Sequence, residues 1–235
     1  RLQQLAQIVE PERIVPAIVE FVDIAGLVAG ASTGEGLGNK FLAHIRETDA
    51  IVNVVRCFVD DNVIHVAGKV DPVEDAETVE TELMLADLES IEKRRAGLAR
   101  KMKGNDKDAV QQDRLLAAAQ AAIEAGNPAR VVEVDEEDAK AWRMLQLLTT
   151  KPVLYVCNVG VDDAAKGNAL SDAVAVMAAA QGNSAVVISA QIEEEISQLD
   201  AEDAQMFLDD MNLEEAGLDR LIRAGYELLH LETYF

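Results

Sequence analysis

Short apolar runs alternate with segments of helical periodicity along most of the chain. Four of these runs predict β-strands, at residues 18–22, 50–58, 152–158 and 184–190. Their apolar positions are continuous rather than alternating, which is typical of a parallel sheet covered on both faces. Helices are predicted at residues 39–47, 171–180 and 218–231. The pattern therefore predicts an α/β fold with a mostly parallel sheet.

The middle of the chain has a different pattern. Residues 75–127 contain no proline, and apolar side chains recur there at every third or fourth position. The recurring residues are Met84, Leu88, Ile91, Leu98 and Met102, followed by Leu116, Ala119 and Ile123. A turn signal separates the two sets at residues 103–106. The spacing predicts two antiparallel helices packed as a short coiled-coil hairpin. A further helix is predicted at residues 136–148.

The strands on either side of this helical stretch are alike in type. We therefore expect an insertion into one α/β domain rather than a separate tandem domain. The predicted division is a first part of the α/β domain at residues 1–74 and a helical insertion at 75–149. Residues 150–235 then form the second part of the α/β domain and the C-terminal helices.

Charge restricts the range of partners. The 235 residues include 43 Asp and Glu but only 21 Lys and Arg, for a formal net charge of −22. A chain this acidic is not expected to bind DNA directly through the phosphate backbone. One dense basic cluster leaves a local patch open, and it comprises Arg94, Arg95, Arg100, Lys101 and Lys103.

The cysteines and the apolar runs indicate the compartment. Cys57 and Cys157 each lie in a predicted strand, which is typical of buried, reduced thiols in a cytosolic protein. No apolar run has the length of a membrane span, and no signal-like leader opens the chain. We expect a cytoplasmic protein without a membrane partner. The start at Arg1, without a methionine, indicates a fragment or a trimmed chain.

The strongest chemical signal follows the first predicted strand. Asp23 ends that strand and Gly26 comes three residues later. In P-loop nucleotide hydrolases an Asp-x-x-Gly at this place reaches Mg²⁺, usually through water, and its Gly amide donates to the γ-phosphate. The motif alone is also typical of an ordinary turn after a strand.

The surrounding residues favour the first interpretation. Residues 23–49, from the Asp-x-x-Gly through a glycine-rich run, resemble the switch II segment of the Obg family of P-loop proteins. Residues 58–71 and 223–235 are similar to the YchF branch of that family. The resemblance implies a TRAFAC-type nucleotide-binding domain that hydrolyses ATP to ADP and phosphate with Mg²⁺. It also implies association with the ribosome or its large subunit.

The phosphate-binding P-loop itself is missing from the 235 residues. Gly68-Lys69 is followed by Val70, and Lys40 is followed by Phe41, so neither forms a Gly-Lys-Ser/Thr ending. In the YchF branch the P-loop would precede Arg1, and a small TGS domain would follow Phe235. We therefore expect this chain alone to be inactive.

A histidine is the expected catalytic residue. Many GTPases place a water-orienting Gln directly after the Asp-x-x-Gly, but Leu27 occupies that position here. His65 follows the second predicted strand, and the YchF resemblance implies a catalytic histidine at this motif position. The alternative is a packed or solvated loop histidine. His44 is expected to pack the switch helix.

Base recognition is expected after the third and fourth strands. The resemblance implies nucleotide contacts at Asn158 and Val159, and again at Ser189 and Ala190. GTPases carry Asn-Lys-x-Asp at the first of these places, and the YchF branch carries Asn-x-x-Glu. Here Val161 stands at the acidic position, which removes the usual guanine contact and leaves ATP preference unsupported at that residue.

Two other functions stay open. The first is a GTPase of the same superfamily, and a binding competition between ATP and GTP would distinguish it from an ATPase. The second is a non-catalytic module whose helical hairpin docks a partner. A chain without a P-loop is compatible with that second function.

Overall fold

A parallel sheet of three strands forms the centre of the described structure. The computed structural model describes residues 18–24, 37–65 and 68–232, with only the backbone described at 37–40. The strands are β1 (Ile51–Arg56), β2 (Val153–Asn158) and β3 (Ser184–Ile188), in that order across the sheet. Both pairings are parallel, and Cys157 lies between Val55 and Val187 in register. The predicted parallel α/β arrangement is confirmed.

Eight α-helices surround or extend this sheet in the described residues. They are α1 (Leu37–Glu47), α2 (Pro72–Lys103), α3 (Lys107–Glu124), α4 (Ala139–Met144), α5 (Ala169–Ala180), α6 (Ala190–Ile196), α7 (Ala201–Asp210) and α8 (Gly217–Leu228). On one face of the sheet, Tyr155 and Cys157 pack against Val174 and Ala178 of α5. Helix α8 lies against the other face.

The approach of α8 to the sheet requires a glycine. A Cβ atom at Gly217 would lie 2.9 Å from Cγ2 of Ile188 and 2.8 Å from Oε1 of Glu193. Glu193 also caps the first turn of α8, because its carboxylate accepts the amides of Gly217 at 2.7 Å and Leu218 at 3.0 Å. Close packing and capping therefore fix the start of this helix together.

Both cysteines lie in the sheet core, as predicted. Cys57 and Cys157 are free thiols with no exposed surface. Contact with Cys157, together with burial, raises the pKa of the Cys57 thiol well above its ordinary value. Such a thiol stays protonated and packs as a small apolar group.

The first predicted strand is not a strand in the described residues. Residues 18–24 make no ladder hydrogen bonds, and Ile18 is 90% exposed. A β-strand needs a neighbour to pair its amides and carbonyls, and residues 18–24 pair with none of the described strands. The run is apolar, as a strand would be, but it can form a strand only beside a partner that the local sequence does not supply.

The predicted hairpin is present as α2 and α3. Ile91, Leu116 and Ala119 are fully buried between the two helices. Arg95 interrupts the apolar spacing, yet its guanidinium bonds to Asp113 at 2.9 Å and Gln120 at 2.6 Å on α3. The interruption is thus a polar crosslink between the helices.

The turn at the tip of the hairpin also follows the prediction. Gly104 and Asn105 lie between the helices, with Asn105 at a φ of 55°. Asp106 then caps α3 by accepting the amides of Asp108 and Ala109. Left-handed backbone at Asn and side-chain capping by Asp are what this sequence favours.

The helix predicted at residues 136–148 is much shorter. Only Ala139–Met144 is α-helical, with 3₁₀ turns at Glu136–Asp138 and Leu148–Thr150. Gln146 has a φ of 51°, which ends the helical path. Leu145 and Leu147 turn into the hairpin core instead, where each is 1% exposed.

A buried carboxylate fastens α2 to the segment before β2. Asp87 is 1% exposed and accepts the amides of Leu148 and Thr149, each at 2.8 Å, as well as the Thr149 hydroxyl at 2.7 Å. Burial raises the pKa of Asp87, and these hydrogen bonds oppose the rise. The long helix is therefore held near its middle by one side chain.

No helix in the part of the chain that the structure describes combines the length and apolarity needed to cross a lipid bilayer.

Candidate functional site

The carboxyl ends of the three strands meet at one edge of the sheet. The pairing continues one step beyond the strands, since Cys57 donates its amide to Asn158 at 2.7 Å and Val159 donates to Ile188 at 2.9 Å. Parallel strands bring the loops that follow them to a common edge, where ligands of open α/β sheets bind. This edge is the candidate site.

Four of the predicted residues come together there. Asn158 ends β2, and its side-chain Oδ1 accepts the amide of Ala190 at 3.0 Å. Val159 and Ser189 are each 2% exposed. The hydroxyl of Ser189 is buried without a hydrogen-bond partner among the described residues. The segments after β2 and β3 are thus joined directly at the edge of the sheet.

Asn168 is a residue that sequence reasoning missed. Its Nδ2 donates to the carbonyl of Cys57 at 2.8 Å and to Oδ2 of Asp163 at 2.7 Å. Its Oδ1 accepts the amides of Leu170 and Ser171, which caps α5. One amide side chain therefore connects the loop after β1, the loop after β2 and a helix. The capping pattern of Asn168 with Ser171 is a local signal that would have identified the cap, but not the contact to Cys57.

Gly167 makes this arrangement possible. Its φ is 74°, and a Cβ there would lie 2.5 Å from Oγ of Ser171. Only glycine adopts this conformation without strain and leaves room for the Ser171 hydroxyl.

The loop after β1 is organised by a guanidinium group. Arg56 donates to the carbonyls of Phe58 at 3.0 Å, Asp60 at 3.1 Å and Val63 at 2.9 Å. It also stacks over the Phe58 ring at 4.7 Å. These contacts shape a cavity of about 260 Å³ bordered by residues between 56 and 70, among them His65 and Lys69.

His65 is bound to an acidic side chain. Its Nε2 lies 2.9 Å from Oδ2 of Asp75 in the first turn of α2, and 16% of its side chain is exposed. The described contact of this ring nitrogen is therefore with a carboxylate on the helix that follows the loop. A carboxylate that holds one ring nitrogen fixes the orientation of an imidazole.

The remaining predicted residues lie near the N-terminal end of the described structure or in its gap at residues 25–36. Asp23 is exposed at the end of segment 18–24, and Gly26 and Leu27 lie outside the described residues. His44 is exposed on α1, so the expectation that it packs the switch helix is wrong. The apolar face of α1 consists instead of Leu42 and Ile45.

A magnesium ion would meet few protein ligands here. No group of three His, Cys, Asp or Glu residues suited to a metal occurs in the described ranges. Asp23 offers one exposed carboxylate. Mg²⁺ usually binds through one or two carboxylates, with water and nucleotide phosphates as its other ligands. A single exposed Asp fits that role.

The side chain of Val161 takes part in apolar packing. It begins the 3₁₀ turn Val161–Asp163 and packs against an apolar cluster that contains Ala164, Ile192 and Leu208. Asp162 is exposed, and Asp163 is bound by Asn168. The apolar side chain of Val161 is therefore part of the packing beneath α6 and α7.

Comparisons with known proteins find close relatives of the whole chain. Residues 4–85 match a family model described as a 50S ribosome-binding GTPase. The chain is 50% identical over its full length to the ribosome-binding ATPase YchF of Bacillus subtilis and 51% identical to that of Haemophilus influenzae. It spans 65% and 64% of those two proteins, or just under two thirds of their length.

A solved structure is similar as well. The YchF GTPase of Schizosaccharomyces pombe superposes with a TM-score of 0.77 at 32% identity. The match covers 97% of this chain and 62% of the yeast protein.

Proposed function

Because the chain belongs to the YchF family of P-loop proteins, we propose that the protein containing it is a ribosome-associated ATPase. It hydrolyses ATP to ADP and phosphate with Mg²⁺. The proposal includes a cytoplasmic location and the division of the chain into an α/β part at residues 1–74, a helical insertion at 75–149 and a second α/β part at 150–235. The relatives from two bacteria carry both properties in their names, ATPase and ribosome-binding.

One observation carries the nucleotide-binding part of this proposal. The amide side chain of Asn158 is bonded to the backbone of Ala190, so the segments after β2 and β3 form a single wall. Ser189 in that wall has a buried hydroxyl without a partner in the described structure. A ligand that displaced the groups covering this hydroxyl would bond to it without breaking an existing hydrogen bond. We assign Asn158, Val159, Ser189 and Ala190 to the nucleoside end of the nucleotide.

The phosphate end is assigned to Asp23 and Gly26. Asp23 would hold Mg²⁺ through water, and the Gly26 amide would donate to the γ-phosphate. When bound, Mg²⁺ neutralises charge on the phosphates. The protein's contribution from this segment is one carboxylate and one backbone donor.

His65 is assigned to the attacking water. Leu27 has no polar atom with which to orient a water molecule. His65 has two ring nitrogens, and Asp75 engages one of them at 2.9 Å. A carboxylate that holds Nε2 fixes the orientation of the ring, and an oriented imidazole is suited to position a water molecule or to accept a proton from it. Movement of the loop after β1 would bring His65 to the phosphate.

The experiment is a substitution in the full-length protein. Asp23→Asn keeps the shape of the side chain but removes the charge that favours Mg²⁺, so turnover at limiting Mg²⁺ should fall by roughly 10-fold or more. The ATPase rate is measured across a Mg²⁺ titration, with Asp61→Asn as an exposed control in the next loop. Unchanged turnover of the Asp23→Asn protein at every Mg²⁺ concentration would remove Asp23 from the site.

GTP hydrolysis is the second candidate function. The yeast relative is titled a GTPase, and Val161 replaces the acid of either family pattern. Competition between ATP and GTP for the full-length protein separates the two. An ATP affinity at least 10-fold higher supports the ATPase, and the reverse ratio supports the GTPase.

A further inference from the structure

The end of the hairpin is basic on an otherwise acidic protein. Residues 93–105 contain six Lys and Arg and no Asp or Glu, within a chain that has 43 acidic and 21 basic residues. With Lys107 the region holds seven of those 21 cations. Lys103 lies about 24 Å along α2 from Asp87, the point where the helix is fastened to the segment before β2.

Two of these cations serve the hairpin itself. Arg95 bonds to Asp113 and Gln120 on α3, and Arg94 donates to the carbonyl of Leu145 at 2.5 Å. They brace the two helices and the segment beside them. Their charges are already engaged by protein groups.

The other five cations point into solvent. Lys93, Arg100, Lys101, Lys103 and Lys107 are all exposed, and none takes part in an ion pair within the described structure. We call these five residues the tip cluster. Long, solvated side chains without a partner contribute little to stability, so the fold does not account for them.

The tip cluster has a defined direction. Lys93, Arg100 and Lys103 recur at helical spacing on the outer side of α2, over about 15 Å of helix. The segment before α4 lies beside α3, because Asp138 bonds to Gln111 and Arg114. Exposed Asp135, Glu136 and Glu137 directly precede Asp138. A polyanion is therefore repelled from the part of α3 near these acids and attracted to the outer side of α2. At the turn, the exposed acids Asp106 and Asp108 flank Lys107.

RNA is the partner that this charge arrangement fits best. A row of unpaired cations spaced along a helix matches a row of phosphates, while the acidic remainder of the protein prevents wider adhesion. The surface of the hairpin between these cations is small or polar, with Gly97 open to solvent. The exposed large apolar side chain nearest to the tip cluster in the described sequence is Val110, which is 49% exposed in the first turn of α3. One such side chain is a small anchor compared with those of protein interfaces.

We infer that the tip cluster binds the phosphodiester backbone of ribosomal RNA and so positions the hairpin on the ribosome. The inference rests on the proposed ribosome association and names the part of the molecule that makes the contact. The contact is electrostatic and does not depend on base sequence.

The test compares two matched double variants of the full-length protein. Arg100→Gln with Lys103→Gln removes two charges from the tip cluster. Lys140→Gln with Arg143→Gln removes one Lys and one Arg from exposed positions on α4. Binding to purified large ribosomal subunits and to protein-free ribosomal RNA is measured between 50 and 300 mM salt. Urea unfolding of all three proteins verifies that the fold is unchanged.

The tip variant should bind both probes about 10- to 30-fold more weakly at 150 mM salt, and its slope of log affinity against log salt should fall by roughly 1.4–1.8. The α4 control should stay near wild type. Equal ribosome binding by the tip variant and wild type overturns the inference and leaves ribosome association intact.

Two further outcomes separate the alternatives. Tip-dependent binding to subunits without any binding to free RNA overturns the RNA contact in favour of an acidic ribosomal protein. If wild type fails to bind subunits at all, ribosome association fails. The free-RNA measurement then decides the inference alone, since equal RNA binding by the tip variant and wild type overturns it and weaker binding supports it.

Discussion

At the scale of single residues, the candidate site is held together by polar side chains that each contact distant segments. Asn168 bonds to Cys57, 111 residues earlier in the chain, and to Asp163. Asn158 reaches Ala190 across 32 residues. Each such bond is worth about 1 kcal/mol, but an unpaired buried partner costs about 1–3 kcal/mol. These residues therefore define the shape of the edge more than they contribute to overall stability.

His65 is the residue whose substitution best tests the catalytic assignment. His65→Ala in the full-length protein should lower ATP turnover by roughly 10- to 1000-fold with little change in ATP affinity, since it would remove a water-positioning or acid–base contact. Single-turnover hydrolysis measures the step directly.

His44→Ala serves as the control, because His44 is exposed on α1. Asp75→Asn should lower turnover by a smaller factor, since it weakens the orientation of His65 without removing the ring. A folded His65→Ala protein that hydrolyses ATP at the wild-type rate would exclude the catalytic role.

Val161 shows that an apparent binding position can serve packing. From sequence, a Glu at this position is expected to restore base discrimination, yet the side chain packs against Ala164, Ile192 and Leu208. Val161→Glu should therefore destabilise the protein by about 1–3 kcal/mol, the cost of a poorly solvated carboxyl group. Urea unfolding measures the loss. Ala165→Glu, at an exposed position nearby, should change stability by less than about 0.5 kcal/mol, and equal effects would show that Val161 has no special packing role.

At the scale of elements, α2 connects the sheet with the hairpin. Its first half packs on β1 and α5, and its second half contacts α3. Asp71 caps its start by accepting the amide of Glu74 at 3.1 Å. Between these halves, Asp87 is the point of attachment to residues 148 and 149. A 32-residue helix is long enough to project its far end well beyond the sheet.

Asp87→Asn should destabilise the protein by roughly 2–4 kcal/mol, because an amide NH₂ would face the backbone donors of Leu148 or Thr149. The difference in the free energy of unfolding between wild type and Asp87→Asn should depend on pH. Burial raises the folded-state pKa of Asp87, so its contribution to wild-type stability is full below the unfolded pKa of about 3.8 and declines as pH rises through the folded value.

The gap between wild type and Asp87→Asn should therefore be largest near pH 4 and narrow toward neutrality. Urea unfolding at intervals between pH 4 and 7 measures it. Ser90→Ala, elsewhere on α2, is the control. A gap that widens with pH would contradict the raised pKa of Asp87.

At the scale of the whole molecule, the structure separates an acidic α/β part from the basic end of the hairpin. The net charge of −22 belongs mainly to the α/β part and the C-terminal helices, while residues 93–105 carry no acid. In the proposed RNA contact, repulsion from the acidic surface would limit nonspecific adhesion to polyanions and confine it to the hairpin end.

Residues 1–235 alone should bind ATP with a Kd weaker than about 100 µM, because a P-loop normally supplies most of the triphosphate contacts. The chain contains no Gly-x-x-x-x-Gly-Lys-Ser/Thr sequence. Isothermal titration calorimetry measures the affinity, with the full-length protein as the positive control. Micromolar affinity for residues 1–235 would show that the described edge binds nucleotide without a P-loop.

The sequence by itself determined the parallel sheet, the hairpin and the family. Continuous apolar runs specify buried strands, and apolar residues at every third or fourth position specify packed helices, because both patterns arise from local geometry. The turn at Gly104 and Asn105 and the buried cysteines are local features as well. Each was therefore predictable without knowledge of distant contacts.

Other features were decided only by the tertiary structure, because they depend on contacts between residues far apart in the chain. Residues 18–22 lack a strand because strand pairing needs a neighbour, and the helix near 140 is short because Gln146 takes a positive φ while Leu145 and Leu147 enter the hairpin core. The partners of His65 and Asn168 lie 10 and 111 residues away. Hydrogen bonds and packing between segments so far apart form only when the chain has folded, so no local pattern encodes them.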